Sequence, residues 1–117
     1  MIGKNIDGRM ALVKIEDKWK SLAELIIDLK KRDVYVPERI VTAFTCCKSL
    51  INHCKYHLDG EDNLVEYYKT LSQLSKDILE IESSLIIIAA NKMGEDYALE
   101  WTMKLSGKSS ELEDNIR

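Results

Sequence analysis

Apolar residues recur along this chain at alternating intervals of three and four. Leu12, Ile15, Trp19, Leu22, Ile26 and Leu29 form the first such series, the stripe that a helix of about 3.6 residues per turn lays down one face. Lys30, Lys31 and Arg32 follow, and cations there complement the partial negative charge at a helix C-terminus. Asp33 comes next, one of the few non-glycine types that tolerates the left-handed backbone of a helix cap. The pattern does not fix where this helix starts. Residues 10–15 alternate enough to form a short strand or an extended arm, and Asn5, Ile6, Asp7 and Gly8 read as a turn.

Val34, Tyr35, Val36 and Pro37 predict a short extended link, because the residue before a proline avoids helical angles and proline suits the first helical position. A second helix is expected from Pro37 to about His57, then a turn over residues 58–62. Asn63 caps a third helix, with Glu66 completing a capping-box-like pair. Leu64, Tyr67, Leu71, Leu74, Ile78, Ile81, Leu85 and Ile88 carry its apolar stripe, and Gly94 is placed to end it. A short fourth helix, from Glu95 to about Leu105, sets Tyr97, Ala98, Trp101 and Leu105 on one side. Residues 106–117 have almost no apolar side chains and read as a flexible tail. The expected fold is all-α: one domain over residues 1–105, an antiparallel helical bundle of three long helices plus a short C-terminal helix.

Lengths add a constraint. The third helix should be ~45 Å long, against ~30 Å for the second and ~27 Å for the secure part of the first. A globule of this size has a diameter of roughly 35 Å. The surplus falls at residues 83–92, beyond the turn joining the first two helices, and it contains Leu85, Ile86, Ile87, Ile88, Ala89 and Ala90. A helix apolar on every side must be surrounded. The fourth helix can cover one side, and the remainder is left to residues 34–36 or to a second copy of the chain. The interface candidates are Leu85, Ile86, Ile87, Ile88, Met93, Tyr97 and Trp101.

Composition narrows the function classes. A chain of 117 residues with 45% hydrophobic and 32% charged residues buries roughly two-thirds of its unfolded surface, so its core requires no disulfide, metal or cofactor. A net charge of -3 argues against a general nucleic-acid coat. The longest apolar run is far short of the roughly 20 residues of a membrane helix, and the first eight residues hold no signal region. The reading is a soluble cytoplasmic protein. Cys46, Cys47 and Cys54 are odd in number and crowded, a poor disulfide framework, so reduced thiols are expected.

One cluster could carry metal chemistry. Cys46, His53 and His57 fall within a sector of about 40° on one helix flank, whereas Cys47 and Cys54 fall in the apolar sector and read as core. His53 and His57, four apart, could chelate one ion, but the Cys46 thiolate lies roughly 10 Å along the axis. No second Cys/His pair exists to complete a tetrahedral zinc site. A thiol–histidine nucleophile, Cys46 with His53 or Cys54 with His57, would sit on one straight helix without a glycine-built oxyanion pocket. There is no phosphate-cradling glycine loop and no serine elbow, so the pattern leans away from an enzyme. Lys31, Arg32, Tyr35 and Arg39 flank the first link as a small RNA-binding candidate, against the plainer reading of helix-end cations. Lys48, Asn52 and Lys55 read as a solvated face, and Glu16 with Lys20 and Asp28 with Arg32 as ordinary i,i+4 pairs.

Several features also occur together in order: Trp19 and Leu22, Leu29-Lys30-Lys31-Arg32, Val34 with Val36-Pro37-Glu38, Lys48 with Leu50-Ile51-Asn52, Ile81-Glu82 with Leu85-Ile86, and Gly94 with Tyr97 and Trp101. From Trp19 to about Leu105 the chain thereby resembles an uncharacterised archaeal family of helical proteins, the domain of unknown function numbered 2096. It departs at Asp33, where the pattern has glycine, which bears only on that cap. The resemblance implies an archaeal cytoplasmic origin and a further C-terminal segment in longer members. It supplies no activity, substrate or site. The functional expectation is a non-catalytic protein–protein interaction or homodimerisation module. The alternatives are a metal-binding or thiol-redox protein using Cys46, His53 and His57, and a weak RNA binder. The partners expected are a second copy or an unidentified protein, with no membrane.

Overall fold

The computed structural model of the chain describes the backbone of residues 2–59 and 64–116, and side chains over residues 9–56 and 65–106. Four helices follow in order: α1 (Ile2–Lys31), α2 (Glu38–Asp59), α3 (Leu64–Met93) and α4 (Glu95–Ile116), with no strand among the described residues. The expected all-α bundle is the observed one. Of the turn expected over residues 58–62, Leu58 and Asp59 are the last residues of α2, and residues 60–62, with the Asn63 cap, lie outside the described residues.

Two helix bounds differ from the periodic pattern. Helix α1 begins at Ile2, so the strand or arm over residues 10–15 and the turn at Asn5 to Gly8 are both helical. A lone extended stretch has no neighbouring strand to take its amide and carbonyl groups, whereas a helix satisfies them internally. Leu12 is buried and Ile15 half-buried on the stripe that Trp19 continues. Helix α4 reaches Ile116 rather than ending near Leu105. No proline interrupts residues 106–116, and extending a formed helix gains one hydrogen bond per residue fixed.

Asp33 ends α1 in the left-handed conformation, at φ 59°. The Val34 N–H donates to the Leu29 carbonyl at 2.9 Å and the Asp33 N–H to that of Lys30 at 3.1 Å, the paired bonds of a Schellman cap. Val34 and Leu29 are both buried, the hydrophobic contact that accompanies this motif. The aspartate in place of glycine thus keeps the cap geometry. At the other end of α3, Gly94 has φ 94° and is the single residue between α3 and α4. The Ala98 N–H donates to its carbonyl, so Gly94 also opens α4.

Helices α1 and α3 form the middle of the bundle. Helix α2 packs on both from one side and α4 on both from the other, and among the described residues α2 and α4 do not touch. The Cα extents are 46 × 35 × 18 Å and the radius of gyration is 15.5 Å. The long dimension matches the ~45 Å of a 30-residue helix. Leu22, Leu25 and Leu29 of α1, Cys47, Ile51 and Cys54 of α2, Tyr67, Leu74, Ile78 and Leu85 of α3, and Leu105 of α4 are all buried. Each such aliphatic or aromatic side chain contributes about 1.5–3 kcal/mol relative to exposure.

The apolar end of α3 is covered largely from within. Leu85 and Ala89 are fully buried, and Ile86, Ile88 and Ala90 are half-buried against the core. Val34 and Val36 of the first link are buried in the same core, whereas Tyr35 between them is exposed. Ile87 alone of residues 85–90 points outward, at 60% exposure.

Candidate interaction surface at the α3–α4 end

Large apolar side chains on α3 and α4 stand exposed toward this end of the bundle, as do Ile27 of α1 and Tyr35 of the first link. Ile87 on α3 is 60% exposed, and Leu99 and Met103 on α4 are 59% and 64% exposed. Leu99 and Met103 are four residues apart and share one helix face. That face is set off from Ala98, Trp101 and Leu105, which α4 buries. Ile87 lies seven residues before Gly94 and Leu99 five after it, so both sit within ~11 Å along their helices of that corner.

The seven sequence candidates divide accordingly. Leu85, at 0% exposure, and Trp101, at 8%, belong to the chain's own core and have no surface to offer a partner. Within the single chain their apolar character is accounted for by intramolecular packing. Ile86, Ile88, Met93 and Tyr97 are half-buried, and Ile87 is open. Leu99 and Met103 were not singled out by the periodicity, which selects the inward stripe. Their four-residue spacing on the far side of α4 was the available signal.

A polar latch fixes α4 against α1 beside this surface. The Tyr97 hydroxyl donates to Asp28 Oδ2 at 2.6 Å, and Arg32 Nε donates to the same oxygen at 2.9 Å. The Arg32 guanidinium also lies 5.3 Å from the centroid of the Tyr97 ring. The hydrogen bond from Tyr97, then that from Arg32, holds the Asp28 carboxyl below its ordinary range. Burial, then the bond to Asp28, pushes the Tyr97 hydroxyl up to about 12.

The latch bears on the RNA candidates. Lys31, Tyr35 and Arg39 are exposed, but Arg32 is engaged by Asp28 and Tyr97. Lys30, Lys31, Arg32, Arg39 and Lys92 at this end are matched by Asp28, Asp33, Glu38, Glu95 and Asp96. Five cations beside five carboxylates give no concentrated positive field to attract a phosphate backbone.

The thiols divide as their helix angles predict. Cys47 and Cys54 are buried and Cys46 is exposed. Burial, with Asp77 nearby, pushes the Cys47 thiol up to about 11, and burial raises that of Cys54. His53 is exposed, and the His57 side chain lies outside the described residues. Among the described residues no three His, Cys, Asp or Glu side chains converge to hold a metal ion.

Lys48 and Lys55 keep solvent exposure, at 43% and 48%, and also reach an acidic partner on α1. Lys55 Nζ meets Glu16 Oε2 at 2.7 Å and Lys48 Nζ approaches the same oxygen at 3.9 Å, so Glu16 reaches across to α2. The hydrogen bond from Lys55 holds the Glu16 carboxyl below its usual value against the opposing effect of burial. Lys48 also lies 5.3 Å from the centroid of the Trp19 ring, which stacks on Phe44 at 4.5 Å between centroids. The Trp19 indole N–H donates to the Phe44 carbonyl at 2.9 Å. These contacts join α1 to α2, as the 2.7 Å pair between Lys18 and Glu82 joins α1 to α3.

Two concavities among the described residues are open grooves rather than enclosed pockets. One of about 220 Å³ runs between α2 and α3 past Arg39, Ala43, Asp77 and Glu80. Another of about 500 Å³ runs between α1 and α3 past Ala11, Ile15, Leu71 and Leu79. Among the described residues no helix is long and apolar enough to cross a membrane.

Neither a curated protein nor a solved structure matches the chain. The model of one family, described as the DUF2096 N-terminal four-helical bundle domain, matches residues 15–116. That span takes in the Trp19 stack, the Asp33 cap and the Gly94 corner, and the family's description agrees with the four helices observed. On this match the chain belongs to the DUF2096 family, a domain of unknown function.

Proposed function

We propose that this domain is a non-catalytic protein–protein interaction module whose partner is a second copy of the chain, met at the α3–α4 end. The observation that carries the reading is the exposure of Ile87, Leu99 and Met103 on the two helices that meet at Gly94, although Val13, Ile27, Tyr35, Tyr56, Val65 and Leu79 are also exposed elsewhere on the bundle. Burying such side chains gains about 25 cal/mol per Å² of apolar surface removed from water. A standard interface takes ~800 Å² from each partner, about a tenth of this chain's 7824 Å². Three side chains supply only the apolar centre of such an area, and the surrounding charged residues would form its rim. The three free thiols suit a reducing cytoplasm.

Co-expression of tagged and untagged copies tests the reading. Retention of the untagged copy on the tag resin, lost in Ile87→Glu, is the expected result. An untagged copy that washes through at every concentration would defeat the self-pairing reading.

A further inference from the structure

We draw no further inference here: the strongest candidate, the open apolar groove between α1 and α3 that Ala11, Ile15, Leu71 and Leu79 line, carries nothing because nothing in the structure shows what covers it.

Discussion

The Tyr97 hydroxyl and Asp28 Oδ2, 69 residues apart in the chain, meet at 2.6 Å and tie the first turn of α4 to the end of α1. Arg32 closes the arrangement from the other side, bonded to the same carboxylate oxygen and stacked over the phenol. Helix α4 is therefore held at its start by polar contacts as well as by Ala98, Trp101 and Leu105. The rest of its outer face is left free to carry Leu99 and Met103.

The latch predicts a pH signature. Tyr97 and Tyr67, the latter raised mainly by burial, ionise near pH 12 in the folded chain, against ~10 for an unperturbed tyrosine. Both values are raised on folding, so their contribution to stability is full below pH ~10 and is lost as pH rises toward 12. Asp28 is depressed, so its contribution is present above the ordinary carboxylate range and is lost as pH falls through its folded value. Urea midpoints of the wild type and Tyr97→Phe should differ less at both extremes than at neutral pH. A difference that stays constant across the whole range would contradict the latch.

The two left-handed positions make opposite predictions. Asp33 has φ 59°, where a side chain costs roughly 1–2 kcal/mol relative to glycine. Asp33→Gly should therefore raise stability by up to about 1 kcal/mol, since glycine also loses more entropy on folding. Gly94 has φ 94° and nothing within 4 Å of the position a Cβ would take. Gly94→Ala should cost about 1–2 kcal/mol through the backbone alone. Chemical denaturation of the two variants checks both signs, and a neutral Gly94→Ala would refute the assigned corner.

Much of this fold was legible in the chain's periodicity, and the limits have identifiable causes. The stripe from Leu12 to Leu29, the cap at Asp33 and the corner at Gly94 each follow from local rules. The start of α1 did not, because its first turns are polar and glycine-containing and carry no stripe to read. The far end of α4 escaped for the same reason. The cross-helix partners Glu16 with Lys55 and Tyr97 with Asp28 depend on how helices are rotated against one another, which periodicity does not encode. The candidate surface is half visible in the sequence: Ile87 stands in the apolar run of α3, while Leu85 and Trp101 carry the same apolar signal and are buried in the core.

Neighbouring residues of α3 should respond very differently to truncation. Leu85 is fully buried and Ile87 is 60% exposed. Leu85→Ala should lower stability by about 2–5 kcal/mol, whereas Ile87→Ala should stay within ~0.5 kcal/mol in dilute protein. Equal losses measured by urea titration would mean that Ile87 is covered within the chain.

The cysteines should separate by accessibility. Cys46 is exposed, and Cys47 and Cys54 are buried with raised thiol values, so a thiol reagent at neutral pH should modify Cys46 alone until denaturant is added. Metal analysis of protein purified without a histidine tag should find no stoichiometric ion. Stoichiometric zinc that disappears in His53→Ala would instead establish the Cys46, His53 and His57 line as a site.

Light scattering on the purified chain across a dilution series tests the central claim most directly. A mass of twice 13.5 kDa at tens of micromolar, falling to a single chain in both Ile87→Glu and Leu99→Glu, is the predicted result. A single-chain mass at every concentration, unchanged by either substitution, would contradict it.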